Sequence, residues 1–547
     1  MTAAGTGWCE LHAHSAFSLL DGASRPEALA VRAAELGYPA LALTDHDSLA
    51  GLVAHARACV AAGIRPIAGV ELTLDDGSHL TLLARDALGY RALCRLVSSA
   101  QLAGTKGAPR TTLDDVAAHA AGLECLTGCR HGRVATALLQ GDEQGARAAL
   151  EQMCDIFGAA HTWVEVQRPS RPDDRRLSFG LARLAHRMGL GLVATGNAHY
   201  ARPDDRDLQD VLVCIRHRVP LAAARPYLRP GASWHLRSPG EMARRFADLP
   251  AALRGAATLA GRCGFALDHV DVALPAFPVP AGHTPDTYLR ELTLAGARER
   301  YSTTRDIPPA VQARLDHELA IIAQLGLAGY FLIVWDLVRY AREQGILCQG
   351  RGSAVGSAVC YCLGITAVEP LSHHLSFERF LSIGRTDPPD VDLDLPADRD
   401  GEPPAREAVI QYALTRWSGH AALVANVITF RARLAVREVG LALGLAPEHI
   451  DALAREKDPW PVTGAPHVAS DCVGTPCGGA AAAPPPDAGV VQQCPQGTML
   501  AGRANCADCG RKVADAPVGR SRPRGHHHPV WHRSARGLPC DRSRRLG

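Results

Sequence analysis

Short apolar segments alternate with longer segments of helical periodicity between Trp8 and about Tyr200. Segments typical of buried strands occur at Trp8–Ala13, Ala40–Leu43, Pro66–Leu72, Leu80–Ala84, Glu124–Thr127, His161–Val166 and Gly191–Thr195. Between the first two of them, Ser24 is predicted to cap a helix that has Pro26 in its first turn and ends at Gly37. This alternation predicts a parallel sheet or barrel whose functional site lies at the carboxyl ends of the strands.

Two further regions follow, and they differ in composition. Asp306–Leu325 has a helical pattern, and Gly329–Val338 is an apolar, aromatic-rich core segment. From Pro461 onward large apolar residues become scarce, and Gly and Pro make up 23 of the last 87 residues. This composition predicts a disordered tail or, alternatively, the frameshifted end of a truncated gene. Cys506 and Cys509 have the spacing of half a zinc site, but a second pair with that spacing is missing.

The overall composition is that of a soluble globular protein. No apolar run reaches the roughly 18 residues that a membrane span needs. The residues Met1–Gly7 lack the basic and apolar pattern of a secretory signal. The 17 cysteines are few and odd in number, which favours reduced thiols. We therefore expect a cytoplasmic protein that contacts no membrane.

The formal net charge of +2 is an average of two unlike parts of the chain. The segment after Trp460 holds 11 Lys or Arg and 5 Asp or Glu, whereas the part before it holds 47 and 51. A charge near zero argues against a chain coated in positive charge for nucleic acid. The slightly acidic first part agrees instead with metal sites that are lined by carboxylates.

Most ligand-type side chains of the first region stand next to the ends of predicted strands. His12 and His14 are two residues apart, so both rings leave the same face of a strand. The others follow or open later strands, at Asp21, His46, Glu71, His79, Cys129 and His199. A single histidine near a strand end is usually a satisfied surface or core residue. So many ligand types together predict a multinuclear site for Zn, Fe or Mn.

A glycine- and serine-rich segment and an aspartate-rich segment follow the apolar core segment. The first contains Arg351, Gly352 and Ser353, and the second contains Asp390, Asp392 and Asp394. Free backbone amides, a hydroxyl and a guanidinium in the first segment suit an anion. The three carboxylates share one face if the chain is extended, which is costly unless a cation lies between them. The alternatives are an exposed acidic edge strand, or caps and turns, but the two segments together predict a two-metal nucleotidyltransferase.

The first set of ligands carries a resemblance to a known family. The motifs Leu11–Ser15, Leu20–Gly22 and Thr44–His46 resemble the polymerase and histidinol phosphatase (PHP) domain. This resemblance implies a distorted β/α barrel whose bound metal ions, Zn²⁺ or Mn²⁺, activate water against a phosphoester. The metal positions that it implies are His12, His14, Asp21, His46, Glu71, His79, Cys129, Asn197 and His199. Asn197 stands where the family usually has Asp, so we expect a weaker ligand there.

The order of all these elements resembles the bacterial C-family DNA polymerases from about Cys9 to about Leu445. The motifs that carry this resemblance are Gly350–Ser353, Leu363–Thr366, Phe377–Leu381, Pro388–Asp394, Ala408–Tyr412 and Ala425–Phe430. The resemblance implies a nucleotidyltransferase-like α+β palm, in which two of the three aspartates bind Mg²⁺. It also implies that Arg351–Ser353 contacts the triphosphate of an incoming deoxynucleotide.

Two departures indicate which branch of this family the chain resembles. The loop between Glu71 and His79 is very short, and Asn197 replaces the last metal-binding Asp. Both features resemble the error-prone translesion branch. The resemblance implies primer–template DNA and deoxynucleoside triphosphates as ligands, and a sliding clamp and other mutagenesis proteins as partners. The third palm carboxylate, the fingers and the later DNA-binding regions are missing from the sequence, so we expect an incomplete polymerase site.

We predict five regions along the chain. They are a PHP domain over 1–215, a helical linker over 216–305, a partial palm over 306–425, the start of a thumb over 426–460 and the tail over 461–547. The leading hypothesis is an error-prone DNA-directed DNA polymerase that acts in damage-induced mutagenesis and translesion synthesis. The alternatives are a metal-dependent phosphoesterase or 3′–5′ exonuclease, a replicative DNA polymerase III α subunit, and a non-enzymatic remnant in which metals only stabilise the barrel.

Overall fold

The computed structural model describes residues 7–105, 107–267, 275–301, 306–383, 389–397, 405–424 and 427–455. The tail over 461–547, with Cys506 and Cys509, lies outside the described residues. So do Pro388, Ala425 and Asn426 of the sequence motifs. The described part folds around two large hydrophobic cores, which define a first unit over Trp8–Cys263 and a second unit over Phe277–Trp417.

The first core is built on a six-stranded sheet whose strands lie side by side in chain order. These strands are β1 (Ala40–Leu43), β2 (Arg65–Thr73), β3 (His79–Ala84), β4 (Leu123–Leu126), β5 (Thr162–Gln167) and β6 (Gly191–Thr195). Six of the seven predicted strands are therefore present, each within one residue of its predicted ends. The sheet is mixed, because β3 runs antiparallel to both of its neighbours while the other neighbouring pairs are parallel.

The orientation of β3 corrects the expectation of a parallel sheet. Residues 74–78 alone join β2 to β3, which is too short for the crossover that parallel strands need. The two strands therefore form a hairpin in which Thr73 pairs with His79. This hairpin brings His79, although it begins a strand, to the same sheet edge as the end of β2.

The predicted strand Trp8–Ala13 is present only as an isolated bridge between Ala13 and Ala198. The Glu10 carboxylate accepts hydrogen bonds from the backbone N–H groups of Leu11 and His12, both at 3.0 Å. These two donors are therefore unavailable to a strand ladder. The segment still bonds to β1 on one side and to the residues after β6 on the other, so it continues the curled sheet.

The first helix, α1 (Pro26–Glu35), does not have its predicted cap. Arg25 occupies the N-cap position without a side-chain bond to the helix. The Ser24 hydroxyl instead donates to Asp205 at 3.0 Å and accepts from the backbone N–H of Ala201 at 2.8 Å. A tertiary contact thus takes the hydroxyl that the sequence assigns to the helix. Gly37 follows the helix with φ 77°, as its predicted position requires.

Helices pack against the sheet and extend the first core beyond the predicted PHP boundary. The remaining helices of this unit are α2 (Leu52–Ala61), α3 (Ala87–Ala103), α4 (Leu113–Ala118), α5 (Arg133–Leu139), α6 (Glu143–Phe157), α7 (Asp174–Met188), α8 (Arg206–His217), α9 (Pro239–Arg245) and α10 (Pro250–Arg262). Helix α10 packs directly on β6, and Phe265 and Leu267 still contact this core. The boundary at residue 215 stays a prediction, although core packing continues about 50 residues past it.

The second core is mainly helical and carries one small sheet. Its elements are α11 (Pro285–Tyr301), α12 (Pro309–Gln324), α13 (Ala328–Glu343), β7 (Gln349–Arg351), α14 (Ala358–Cys362), β8 (Asp392–Asp394) and α15 (Ala405–Arg416). Strands β7 and β8 pair antiparallel. The predicted fold class, an α/β unit with a curled barrel-like sheet followed by an α+β unit, is confirmed.

Two last helices, α16 (Ala432–Ala442) and α17 (Pro447–Arg455), pack on each other. Helix α16 also contacts α8 of the first unit, where Ala442 is buried with Cys214 and Ala224. Across the described ranges, no single helix is long and apolar enough to cross a membrane. The pair α12 and α13 passes that test only when both are taken together, with a bend of 114° between them.

Candidate functional site

Four imidazole rings surround the carboxylate of Glu71 near the end of β2. Glu71 Oε1 lies 3.3 Å from His12 Nε2 and 3.2 Å from His79 Nδ1, and Oε2 lies 3.4 Å from His14 Nε2 and 3.1 Å from His46 Nδ1. An isolated parallel bridge between His46 and Glu71 fixes these two residues side by side. The Glu71 side chain is fully enclosed, so the sheet edge presents a buried carboxylate to four nitrogen ligands.

A second carboxylate, that of Asp21, lies beside the first. Its Oδ2 is 3.4 Å from His46 Nε2 and 3.2 Å from His199 Nε2. His199 Nδ1 is 3.0 Å from the backbone carbonyl of Asn197, which directs Nε2 toward the carboxylate. The His14 ring lies 4.4 Å from the rings of both His46 and His199. The two carboxylates therefore belong to one continuous cluster.

The donor atoms of this cluster fit metal ions. Three sets of ligand atoms lie within 4.8 Å of one another: His14 with His46 and His199, His12 with His14 and Glu71, and His46 with Glu71 and His79. The buried atoms without a hydrogen-bond partner include His12 Nε2, His14 Nε2, Glu71 Oε1 and Asn197 Oδ1. Burying such atoms unpaired is costly, and a metal ion is a partner that all four atoms accept.

Cys129 and Asn197 lie at the margin of the cluster. Cys129, which follows β4, has its Sγ 3.4 Å from His79 Nδ1. Asn197 follows β6 with φ 50°, a conformation that asparagine tolerates better than most residues. Its Nδ2 donates to Gln167 Oε1 at 3.4 Å, while Oδ1 has no partner. The structure thus brings all nine predicted positions to one edge of the sheet.

Three groups of the cluster, His14, His199 and Glu71, have pKa shifts that favour metal binding. Burial and the neighbouring His199 and His46 hold the pKa of His14 well below its usual value. Burial also lowers the pKa of His199 to about 4. Although burial opposes ionisation of Glu71, the surrounding histidines hold the pKa of this carboxyl well below its ordinary value. Neutral imidazole and ionised carboxylate are the forms that bind metals.

Sequence reasoning did not identify Glu165, which lies on β5. Its Oε1 is 2.7 Å from His12 Nδ1, and this contact leaves His12 Nε2 facing Glu71. Gln167 and Thr195 donate to the same oxygen. Burial disfavours the charged ring, but Glu165 and Glu71 together raise the pKa of His12 well above its usual value. A carboxylate in this position orients a metal-binding histidine. In the sequence, Glu165 could have been noticed as an acidic residue inside an otherwise buried strand.

Arg229 is the second residue that the sequence did not indicate. Its Nη2 donates to both Asp21 oxygens, at 2.9 and 3.0 Å, and lies 2.5 Å from His199 Nε2. The guanidinium also stacks over the Trp234 ring, 4.6 Å from its centroid. No pattern marks Arg229, because it lies in irregular chain between α8 and α9.

The glycine–serine segment and the aspartate segment form the two antiparallel strands of the small sheet, which we call the β7–β8 pair. In the antiparallel pair of β7 and β8, Arg351 lies opposite Asp392, and Arg351 Nε lies 3.1 Å from Asp394 Oδ2. Gly352 has φ +71°, and a Cβ atom at this position would lie 3.3 Å from Asp392 Oδ2. The chain is exposed at the end of β7, at Arg351, Gly352 and Ser353, so this end of the β7–β8 pair is open to a ligand.

The three aspartates differ in their surroundings. Asp392 and Asp394 belong to β8, whereas Asp390 is exposed and precedes the strand. Val391, between Asp390 and Asp392, is buried in the second core, so the carboxylates and the apolar side chains alternate as predicted. Asp392 Oδ1 is buried and has no hydrogen-bond partner within the described ranges. Of the described residues, no third carboxylate joins Asp392 and Asp394 in a compact ligand group.

Glu318 on α12 limits where the glycine–serine segment can bind an anion. It is fully buried and accepts hydrogen bonds from Ser357 Oγ and from the backbone N–H groups of Ala358 and Val359, at 2.8 to 3.1 Å. Arg314 also donates to Glu318 at 2.7 Å. The start of α14 is therefore already bound to a carboxylate, and only the exposed part of the segment remains for an anion.

Comparison with known proteins gives two family matches along the chain. Residues 10–169 match the PHP domain, and residues 287–469 match the bacterial DNA polymerase III alpha NTPase domain. The chain thus joins a PHP domain to a polymerase III alpha-type domain. Over most of its length it is similar to bacterial proteins named error-prone DNA polymerase, and the resemblance that the motifs carry is confirmed.

Two relatives and one solved structure illustrate these matches. An error-prone DNA polymerase of Mycolicibacterium paratuberculosis is 46% identical over 466 residues, which cover 83% of this chain and 42% of that protein. The error-prone DNA polymerase of Nocardia farcinica is 41% identical over 513 residues, with 84% and 44% covered. A metal-dependent phosphoesterase structure from Bifidobacterium adolescentis is 17% identical over 35% of this chain and 87% of its own, with a TM-score of 0.26. The chain spans about two fifths of the length of the curated relatives it matches.

Proposed function

We propose that this chain acts as part of an error-prone DNA-directed DNA polymerase of the C family, in damage-induced mutagenesis and translesion synthesis. The observation that carries the proposal is the β7–β8 pair, in which Arg351 lies opposite Asp392. The chain is also 46% identical to a protein named error-prone DNA polymerase. The β7–β8 pair brings a segment that suits an anion next to a strand of carboxylates. Nucleotidyl transfer uses this combination to hold a triphosphate and its metal ions.

The polar residues and Gly352 at the β7–β8 pair each have a role in this proposal. Two of the three aspartates Asp390, Asp392 and Asp394 would hold Mg²⁺, which would supply activation of the primer hydroxyl and neutralisation of the triphosphate. Arg351 and the exposed Ser353 bind the phosphates of the deoxynucleotide. Arg351 now contacts Asp394, so a bound triphosphate competes with that carboxylate for the guanidinium. Gly352 keeps the backbone close to Asp392 without a side chain between them.

Nucleotide binding by the purified 547-residue chain tests this proposal directly. We expect dATP with Mg²⁺ to bind measurably by titration calorimetry. The affinity should fall about tenfold or more in Asp392→Asn and in Arg351→Ala, because each loses a charged contact. The control is Asp286→Asn, which removes the same charge from an exposed position on α11. The proposal would be contradicted if dATP does not bind, or if neither Asp392→Asn nor Arg351→Ala changes the affinity.

The unpaired buried atoms of the first unit favour a second function, metal-dependent phosphoester hydrolysis. The proposed ligands are His12, His14, Asp21, His46, Glu71, His79, Cys129, Asn197 and His199. Imidazole, thiolate and carboxylate donors favour Zn²⁺ or Mn²⁺, which would supply an activated water. Glu165 holds the His12 ring in the orientation that faces the metal. The substrate would be a phosphoester, including the 3′ end of a DNA strand.

Metal content and hydrolysis together test this second function. We expect the purified chain to hold at least one metal ion and to hydrolyse a phosphoester. His14→Ala should lower the metal content and abolish hydrolysis, whereas Asp392→Asn should change neither. Fewer than one metal ion per chain, or hydrolysis that survives in His14→Ala, would overturn the proposal.

We propose the remaining assignments on the same basis. Primer–template DNA and deoxynucleotides are the ligands, a sliding clamp and other mutagenesis proteins are the partners, and the cytoplasm is the location. Residues 1–215, 216–305, 306–425 and 426–460 stay the proposed regions. The first core, which reaches Leu267, favours a later end for the PHP domain.

A further inference from the structure

A cavity of about 330 Å³ lies between the start of α7 and the end of α9, and its lining begins one residue after the end of β5. Its lining consists of Arg168, Ser170, Arg171, Asp174, Arg175, Arg244, Arg245, Ala247 and Asp248. Five guanidinium groups therefore face two carboxylates. We call this feature the arginine cavity.

The two carboxylates do not neutralise the arginine cavity. Asp248 is shared by Arg168 at 2.6 Å and Arg175 at 2.7 Å. Asp174 accepts from the backbone N–H of Arg171 at 2.7 Å. Burial, together with nearby Arg130, lowers the pKa of Arg171. Like charges held this close are unfavourable unless an anion lies between them.

Two arginines have buried donor atoms without a hydrogen-bond partner among the residues that the structure describes. Arg168 is 4% exposed and its Nη2 has no hydrogen-bond partner. Arg171 is half-buried, and its Nε atom also has none. Arg168 is held rigidly, because Nη1 donates to the Arg245 carbonyl at 2.8 Å and the guanidinium stacks 4.8 Å from the Phe246 ring centroid. A fixed guanidinium with a spare N–H suits a phosphate oxygen.

The arginine cavity is connected to the metal cluster through two chain segments. Arg168 follows Gln167, which donates to Glu165, the carboxylate that contacts His12. On the other side, Ser170 Oγ lies 2.9 Å from Ser233 Oγ, and Ser233 belongs to the same loop as Arg229. The lining of the cavity is therefore joined by short chain segments to residues that contact the candidate metal ligands.

We propose that the arginine cavity binds a phosphate of a single DNA strand whose end reaches the metal cluster. The proposal rests on the phosphoester function above for the direction of the strand, but not for the binding itself. Inorganic phosphate offers the same chemistry as a phosphodiester, so the experiment must separate the two sources.

The experiment measures fluorescence anisotropy of a fluorescein-labelled oligothymidylate with the full chain in EDTA, where no hydrolysis occurs. The test variant is Arg171→Ala/Arg244→Ala, which spares the more buried Arg168. The control, Arg57→Ala/Arg91→Ala, removes two exposed arginines from α2 and α3. We expect about a tenfold loss of affinity and a shallower salt dependence in the test variant only. Thermal unfolding of all three proteins checks that the test variant is folded.

The arms of this experiment distinguish the outcomes. Displacement of the oligothymidylate by millimolar inorganic phosphate from the wild type, but not from the test variant, would support the proposal. Equal affinity of the test and control variants for DNA would overturn it, even if inorganic phosphate alone still binds. Since EDTA removes the metals, DNA binding that depends on Arg171 would stand even if the phosphoester function fails.

Discussion

The guanidinium of Arg229 bridges Asp21 and His199, at 2.9 Å from a carboxylate oxygen and 2.5 Å from the ring Nε2. A cation therefore already lies between two residues that are expected to bind a metal ion. Asn197, a neutral residue, stands two positions before His199, where the family has a carboxylate. The two features reinforce each other, because both reduce the attraction of this corner for a second cation.

Replacing Arg229 should increase metal binding. In Arg229→Leu, Asp21 and His199 lose the competing guanidinium, so we expect the chain to bind about one additional metal ion. Mass spectrometry of metal content after equilibrium dialysis against Zn²⁺ measures this number. Arg216→Leu, on the exposed face of α8, is the control. An unchanged or lower metal content in Arg229→Leu would show that the guanidinium does not compete with a metal.

Asn197→Asp should strengthen the same corner of the site. A carboxylate is a stronger ligand than an amide oxygen, and Asp tolerates the φ of 50° as Asn does. We expect about tenfold tighter Zn²⁺ binding in a competition with a chelating dye. Asn197→Ala is the matched comparison, since it removes the ligand oxygen and should weaken binding. Equal affinities of the two variants would exclude position 197 from the metal site.

His55 should make stability fall in weak acid. It is buried, with Nε2 3.0 Å from the Leu41 carbonyl, and burial lowers its pKa to about 4. An unfolded chain binds this proton near pH 6.5, so stability is complete above that value and is lost as pH falls toward 4. In His55→Gln, the loss of unfolding free energy between pH 7 and 4.5 should be about 2 kcal/mol smaller. Urea titrations measure it, and the exposed His186→Gln should behave like the wild type.

Gly352→Ala should weaken nucleotide binding at the β7–β8 pair as well as lower the stability of the fold. The residue has φ +71°, and the added Cβ would lie 3.3 Å from Asp392 Oδ2. Gly326→Ala is a matched control, because Gly326 has φ +67° with nothing within 4 Å of its Cβ position. Both substitutions should cost about 1 kcal/mol of unfolding free energy. Only Gly352→Ala should weaken binding of dATP with Mg²⁺ in calorimetry, and an equal loss in both would contradict a role for this contact.

The sequence by itself determined the strands of the first sheet and most of the candidate metal ligands. Alternating apolar runs gave six strands within one residue of their ends, because burial between helices selects such runs whatever the topology. The spacing of His12 and His14 and the alternation around Asp392 were readable for the same reason, since side-chain direction along extended chain has a period of two.

The tertiary structure alone decided the direction of β3, the loss of the Trp8–Ala13 ladder and the partners of the ligands. Glu10 takes backbone donors that the sequence assigns to a strand. Glu165 and Arg229 enter the metal site from positions 153 and 208 residues distant from their partners His12 and Asp21. Contacts at such separations depend on how the sheet curls and where its loops return, and local periodicity carries no information about either.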